Sequence, residues 1–426
     1  MKVLWISPEG HTLTFAHRLQ EEGHQVRVYA PQHDSLMKGL IKEFVDDWKP
    51  HTSWCDLAVV NDVWEHTELL RTRVRRVVGG NALFTRLEND RIFGKAIFKK
   101  LGMDVRDSMS FDDFDKAIAF IHANPDKWVF KANGQADRTL GFVGKDPQGK
   151  DVINRIEFYK EHAKGKMKNL WDKEQGISFV LERCADGIEV ACGAYWDGHR
   201  FSGVNINFEH KKRSAGNLGV STGEQGTVVR MLSTQTRLFH KTLAKLESLL
   251  KKYPYNTDVD LNCIVTKDKV YILEITSRFG WPSEACNNEL RKISYGEFML
   301  RLADGTLQPS HFITDKFSIV FVVSSFGYPY QKSFEEFGSA QPFTIPKNNK
   351  HIYLFEVMLE GKQLYTAEEG EGQIVTVVET DKDLATAKKK AEEIIKQIEL
   401  PGKDYRIDIG DKAMKNLKQL HDWGWI

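Results

Sequence analysis

Cysteine is scarce in this chain: five residues in 426 (Cys55, Cys184, Cys192, Cys263 and Cys286), an odd number with no CxxC pair. That spacing speaks against a disulfide framework and against a cysteine-rich zinc site, and a reducing compartment is the simpler expectation. Net charge is nearly absent too, since 60 basic residues face 59 acidic ones and leave +1. No global field draws nucleic acid or an anionic membrane, so any anion site must be local. Long apolar runs are missing. The opening Met1-Lys2-Val3-Leu4-Trp5-Ile6 stops at Ser7-Pro8-Glu9, too short for a signal peptide. No stretch approaches the roughly 20 apolar residues of a spanning helix. A soluble, cytoplasmic protein with neither membrane nor nucleic acid as partner is expected. The lysine-rich segments Lys160 to Lys173 and Lys388 to Lys390 are interleaved with acids and read as solvated helix faces. The first strand-to-helix turn also lacks a G-x-G-x-x-G, so a bound dinucleotide is not supported.

Apolar residues at 41% and charged residues at 28% are those of a globular chain. At roughly 150 residues per domain the length suits about three domains. Val3 to Ile6, a helix from Leu13 to Glu22 closed by Gly23, and Val26 to Tyr29 open the chain as a βαβ unit. With the strand Leu57 to Val60, this predicts a small doubly wound α/β domain up to about residue 102. From 103 to 316 the pattern is α+β. Strands are predicted at Trp128 to Lys131, Ser178 to Glu182, Ile188 to Tyr195 and Val270 to Ile275, with helices at Asp113 to His122 and Thr234 to Lys252. A third, smaller α+β domain is expected over 317–426, with strands Ser318 to Ser324, Ile352 to Glu356 and Gln373 to Glu379 before a helix from Leu384 to Gln397. There is no internal repeat and no low-complexity linker.

Several segments can carry chemistry. On a strand through Tyr271 to Gly280, Glu274, Thr276 and Arg278 share one face, while Leu273 and Ile275 point into the core. Asp258, Asp260 and Asn262 share a face of the preceding candidate strand, and a hairpin from Asp260 to Glu274 brings two carboxylates together. Magnesium prefers such hard oxygens, and a neighbouring arginine can neutralise a transferring phosphoryl group. The plain alternative is the polar outer face of an antiparallel hairpin. Lys131 ends an apolar strand beside Asn133-Gly134 and Arg138, where loop amides can cradle phosphate; a solvated edge lysine is the commoner case. Glu182 to Glu189 turns at Asp186-Gly187 between two buried strands and can show backbone groups to an adenine edge, although alone it is an ordinary hairpin. His210-Lys211-Lys212-Arg213 precedes Gly216, Gly219, Gly223 and Gly226 with Thr222 among them, a loop whose amides can meet an anion or that is merely a long surface loop.

In order along the chain, these pieces resemble the glycinamide ribonucleotide synthetase (phosphoribosylamine–glycine ligase) family of ATP-grasp enzymes. Gly79 to Lys95, with Arg86-Leu87-Glu88 and Phe93-Gly94-Lys95, is similar to the segment entering the ATP-grasp domain. Val129 to Gly134 is similar to its lysine-alanine-aspartate-glycine strand end, and Glu182 to Glu189 keeps the spacing of its two glutamates. His210-Lys211 with Gly219, Thr222-Gly223 and Gly226 resembles its basic segment and TGGMG loop. Glu274 with Arg278-Phe279-Gly280 resembles its metal strand, and Gly327-Tyr328-Pro329 and Tyr405 to Gly410 its C-terminal domain.

The resemblance implies a central ATP-grasp domain between the doubly wound and C-terminal domains. It implies ATP with Mg2+ (or Mn2+), small-molecule carboxylate and amine substrates, a place in purine biosynthesis, and a monomer or homodimer. Lys95, Lys131, Asn133, Gly134, Arg138, Glu182, Cys184 and Glu189 would hold the nucleotide, and Asp260, Glu274 and Thr276 the metal. Arg278, Lys211 and Arg213 would act on the transferring group, and Thr222, Gly223, Gly280 and Trp281 would meet substrate.

Departures from the family pattern fall mostly on the substrate side. Glu9-Gly10-His11-Thr12-Leu13 replaces a glycine-glycine-arginine-glutamate-histidine run, and Gly280-Trp281-Pro282-Ser283 replaces G-D-P-E. Thr276 replaces an asparagine, the Gly-Lys-Gly ATP loop is altered around Arg138-Thr139, and a glycine-glycine-arginine is replaced around Glu368-Glu369-Gly370. A lost arginine and a gained tryptophan suit a changed substrate. Two other readings are a nucleotide-binding pseudoenzyme, motivated by Thr276 and the altered loop, and a glycosyltransferase, suggested by the opening βαβ unit and requiring a second doubly wound domain.

Overall fold

The computed structural model describes residues 1–31, 35–62, 65–133, 136, 140–165, 167–171, 176–347 and 350–426. The chain opens on a parallel four-stranded sheet in which Lys2–Ile6 lies between Gln25–Tyr29 and Leu57–Val60, with Val77–Val78 outermost. These strands are near-continuous apolar runs because both faces are covered. The strand order reverses around Lys2–Ile6, which makes this the doubly wound unit expected from the βαβ pattern. The helix Leu13–Glu21 that follows packs Leu13, Phe15, Ala16 and Leu19 inward.

A long sheet forms the body of the molecule. It runs through Ile352–Leu354, Gln373–Asp381, Phe317–Ser324, Gly226–Met231, Phe201–Glu209, Ile188–Trp196, Thr257–Val265 and Val270–Thr276, all antiparallel, to the short parallel edge strand Asp104–Val105. Strands on both sides of residue 316 belong to it, so the last third of the chain extends the central sheet and adds the small sheet Pro342–Phe343, Gln363–Thr366 and Val357–Glu360. One hydrophobic core runs from Val3 and Trp5 to Leu417 and Trp425. A second, separate core fills the unit made by Ser108–Phe111, Trp128–Ala132, Phe142–Val143 and Phe179–Arg183, where Phe130, Trp128, Phe179 and Leu181 pack under the helices Phe114–Ala123 and Lys150–His162. The four residues Cys184 to Gly187 join the two units. Gly187 is required there, since a Cβ would come within 2.6 Å of the Val265 carbonyl oxygen.

Three local expectations are corrected. Thr234 to Lys252 is not one helix but Arg237–Lys241, a 3-10 turn Leu243–Leu246 and Glu247–Lys252. The break falls at Thr242, whose buried hydroxyl donates to the Leu238 carbonyl and competes with the helix ladder. The strand expected over Ile352 to Glu356 ends at Leu354, because the Glu356 carboxyl turns inward to accept the amides of Glu371, Gly372 and Gln373. Leu273 is not a core residue. It is the extra residue where the register between Thr257–Val265 and Val270–Thr276 shifts, and Ile272 and Ile275 fill the core instead.

The helix Ser283–Glu289 lies against the strands Gly226–Met231, Phe317–Ser324 and Gln373–Asp381. Beneath it Arg291 donates to Glu284 Oε1 at 2.5 Å and to the Tyr195 hydroxyl at 2.5 Å, and Tyr195 in turn donates to Glu284. Both charged side chains are completely buried, and the guanidinium lies 3.6 Å from the Phe298 ring centre. Removing one member of such a pair strands the other charge. Arg291→Met is expected to lower the unfolding free energy by about 3–5 kcal/mol in equilibrium denaturation, with part of it recovered by adding Glu284→Gln. A loss below about 1 kcal/mol would show that this pair does not anchor the helix.

Candidate active site

On Trp128–Ala132, alternation sends Trp128 and Phe130 into the smaller core and turns Lys131 to the other face. Antiparallel pairing sets Glu182 opposite Val129 and so on the same face as Lys131. The third partner comes from the helix Arg91–Lys100, started by Asp90, whose side chain accepts the Phe93 amide. Lys95 and Lys131 both donate to Glu182 Oε2, at 2.5 and 3.3 Å. Burial pulls the Lys95 ammonium below its ordinary value, Glu182 holds it up, and the Lys131 charge pulls it down again. Without ligand, Glu182 is therefore the counter-ion that parks two cations side by side.

The second half of the site stands on the central sheet. Asp260 lies opposite Thr276 and Asn262 opposite Glu274, so all four share one face, as the hairpin reading expected. Glu274 accepts Lys211 Nζ at 3.2 Å and Arg91 at 3.3 Å. Lys211 also lies 3.1 Å from Glu209 and 4.0 Å from Glu189. The Lys211 charge, with help from Arg91 and Lys131, holds the Glu274 carboxyl far below the usual range against the cost of burial. Lys131 is thus felt at both clusters. Asp260 is the opposite case. Burial and then the Glu209 charge push it up to about 7, and although its Oδ2 accepts the Asn207 amide at 2.8 Å, its Oδ1 meets no donor. Asn262 Oδ1 is likewise buried without a donor.

Arg278 leaves the end of this strand and pairs with Glu88 at 3.3 Å, while the Glu88 carboxylate accepts the Ser277 amide and hydroxyl. Asn61, at the end of Leu57–Val60, accepts the Phe279 amide at 3.1 Å and ties the first domain to the same loop. Next to it Asp62 lies 3.7 Å from the His11 imidazole, and Glu9 lies 3.3 Å from it. These three residues follow the first and third strands, at the carboxyl ends of a parallel sheet where its order reverses, the usual place for a ligand in an open α/β sheet.

The remaining candidates divide. Thr222 returns its hydroxyl to the Lys211 carbonyl and so fixes the glycine-bearing loop to the basic segment. Gly223 lies half-buried in that loop. Asn133 ties its strand end to Ser178 through both amides. The Cys184 amide donates to Lys127 and its carbonyl accepts Arg106, so the hinge backbone at that residue is already engaged. Glu189 is exposed at the rim of the Lys211 cluster. Gly280 packs against Ser283, and Trp281 stacks on Phe355 at 4.4 Å with its indole N–H donating to Gln373. Arg213 stands apart from the carboxylates, paired with Asp404 and lying over Tyr328. Gly134 and Arg138 lie outside the described residues.

Sequence reasoning gave no role to Arg91, Glu209, Asn207 or Asp62, and it noted Glu88 only within a family-like segment and Glu9 and His11 only as departures on the substrate side. For Arg91 a signal existed: it is four residues before Lys95 on one helix face. The others are brought together by strand pairing and chain crossings that leave no local pattern.

Two lysines on one glutamate thus face a carboxylate-bearing antiparallel sheet, an arrangement able to meet a polyphosphate and its metal. Residues 89–284 match the family described as the phosphoribosylglycinamide synthetase ATP-grasp (A) domain. The chain is similar to curated relatives along most of its length. It is 25% identical over 344 residues to a phosphoribosylamine–glycine ligase of Lactococcus lactis, covering 79% of this chain and 78% of that one. It is also 25% identical over 435 residues to one from Streptococcus pneumoniae, covering 97% and 100%. A solved phosphoribosylamine–glycine ligase from Thermotoga maritima superposes with a TM-score of 0.74 at 20% identity, over 96% of this chain and all of that one.

Burial works against a charged His11, but the Asp62 and Glu9 carboxylates raise its imidazole from 6.5 to about 9. The stability this contributes is fully present below about pH 6.5 and is lost as pH rises through about 9. A nuclear magnetic resonance titration should find the His11 midpoint near 9 in the free protein, falling by at least about one unit in Asp62→Asn. An ordinary midpoint near 6.5 would show that the trio is not coupled.

Proposed function

We propose that this chain is an ADP-forming ligase that activates a small carboxylic acid with ATP and joins it to an amine. The observation that carries this reading is the pair of charge clusters, Lys95–Glu182–Lys131 and Arg91–Glu274–Lys211, coupled through Lys131. Together they offer four cations to a triphosphate and a row of hard oxygens to a divalent ion.

The donor set suits Mg2+. Glu274 is ionised, the Asp260 carboxyl and the Asn262 amide each hold an oxygen with no donor, and all lie on one face. Glu274, Asp260 and Asn262, with Thr276 on the same face, would hold the metal, which would supply charge neutralisation at the phosphates. Lys95 and Lys131 leave Glu182 to bind phosphate oxygens, and Lys211 is positioned to follow the γ-phosphoryl group. A carboxylate oxygen of the donor attacks the γ-phosphorus, the bond to the bridging oxygen breaks and ADP departs. The amine nitrogen then attacks the acyl carbon, the C–O bond to phosphate breaks, and the nitrogen gives up a proton as inorganic phosphate leaves. Arg278, steadied by Glu88, is placed to hold the acyl phosphate. Catalysis here is positioning and charge neutralisation, with no protein nucleophile.

A glycosyltransferase would need a second doubly wound domain, and the body of the chain is instead an antiparallel sheet. Glycine with phosphoribosylamine is the first substrate pair to try, because relatives carry that name. The changed residues Glu9, His11 and Trp281 favour a different acceptor.

Phosphate release should depend on ATP, Mg2+, an amino acid and an amine together. Glu274→Ala is expected to lower kcat on the order of 100-fold or more, whereas Arg213→Ala leaves it nearly unchanged. Nucleotide binding without release for any acid and amine pair would make the chain a pseudoenzyme.

A further inference from the structure

The loop Thr222 to Gly226 holds a carboxyl group that the chemistry above does not use. Glu224 is 5% exposed, and its Oε1 meets no hydrogen-bond donor. The loop is fastened at both ends, by the Thr222 amide on the Lys211 carbonyl and by the Gln225 amide on the His210 carbonyl. Gln225 is held further by Tyr328 and Thr222 through its side chain. The carboxyl of Glu224 therefore sits where the backbone fixes it, and not by accident of a mobile tip.

Its surroundings are rich in acceptors and poor in donors. Glu209, Lys211 and Asp260 act on it from the sheet, and Cys286 faces it from the covering helix. Among the described residues the cation that acts on it is Lys211, which already serves Glu209 and Glu274. Asp260 Oδ1 and Asn207 Oδ1 are also buried with no donor, and Asn207 is bonded to Asp260. Beside them Gly193 lets the backbone approach closely, since a Cβ there would stand only 2.8 Å from Asp260 Oδ2 and 3.2 Å from the Asn205 amide. Burial, and then the Glu209 and Asp260 charges, push the Glu224 carboxyl well above the usual range.

Buried acceptors without donors call for a ligand that brings donors only. A primary ammonium has three N–H donors and no acceptor, whereas a phosphate or carboxylate would add to the excess. In an α-amino acid the ammonium is one carbon from the carboxylate, and Lys211, which pairs with Glu274, is near enough for its charge to act on Glu224. We propose that Glu224 is the specificity residue of this site, binding the α-ammonium of an amino-acid donor whose carboxylate is phosphorylated, with Asn207 as a second acceptor. The assignment rests on the ligase reading for its setting.

The test is calorimetric binding to the full-length protein loaded with Mg2+ and a non-hydrolysable ATP analogue. The probes are the twenty common amino acids and, as a carboxylate without an ammonium, propionate. The wild type should bind at least one amino acid ten or more times tighter than propionate. Glu224→Gln should erase that preference while keeping the affinity for the ATP analogue, and Glu224→Asp should retain part of it. The analogue affinity also reports whether each variant is folded. No amino-acid preference in the wild type, or one that survives Glu224→Gln, overturns the proposal. So does a loss of Mg2+ affinity in Glu224→Gln with the amino-acid preference intact, which would place Glu224 on the metal. Trapping the acyl phosphate with hydroxylamine separates the two claims: a Glu224-dependent preference without hydroxamate sinks the ligase reading and keeps the ammonium site.

Discussion

A half-buried carboxylate on a sheet face is stabilised where cations meet it, and Glu274 is met by two. Lys211 and Arg91 reach it from opposite directions, one from the basic segment after Phe201–Glu209 and one from the helix Arg91–Lys100. That pairing orders much of the molecule. Lys211 can arrive only because Thr222 folds back onto its carbonyl, and Arg91 only because Asp90 starts its helix at that point. The same helix then delivers Lys95 to Glu182, one turn further on. Pairing Glu274 and placing Lys95 on Glu182 thus depend on one helix.

The free protein holds its cations on internal counter-ions. Lys95 and Lys131 share one oxygen of Glu182, and Lys211 serves three glutamates. In the proposed reaction a triphosphate with its metal would exchange these partners without creating unpaired charge, the anion taking the lysines and the metal taking Glu274. The first domain is tied into this arrangement by two contacts, Asn61 on Phe279 and Glu88 on Ser277 and Arg278. Arg278 is therefore positioned from both sides of the junction, close enough to the Glu9, His11 and Asp62 group for their charges to act on one another.

Much of this architecture was legible because it is written in local patterns. The βαβ opening, the strand pair carrying Asp260 and Glu274, and Lys131 at a strand end each follow from alternation and spacing. The family resemblance added Lys95, which no short pattern marks, and a role for Glu182 beyond an ordinary hairpin. What stayed hidden depends on distant crossings. The counter-ion role of Glu182 needs the register between Trp128–Ala132 and Phe179–Arg183, and the bulge at Leu273 cannot be seen without its partner strand. The break at Thr242 was missed because apolar periodicity continues through it, while a single buried hydroxyl takes a helix carbonyl. Glu224 reads as a polar loop residue, and only burial exposes its lack of a partner.

The central claim is that nucleotide and metal take over the partners now held by Glu182 and Glu274. A crystal structure of the protein with Mg2+ and a non-hydrolysable ATP analogue tests it most directly. The account predicts phosphate oxygens on Lys95 and Lys131 in place of Glu182, the metal on Glu274 and Asp260, and Lys211 turned toward the γ-phosphate. A nucleotide bound elsewhere, or one bound with both lysines still on Glu182, would contradict it.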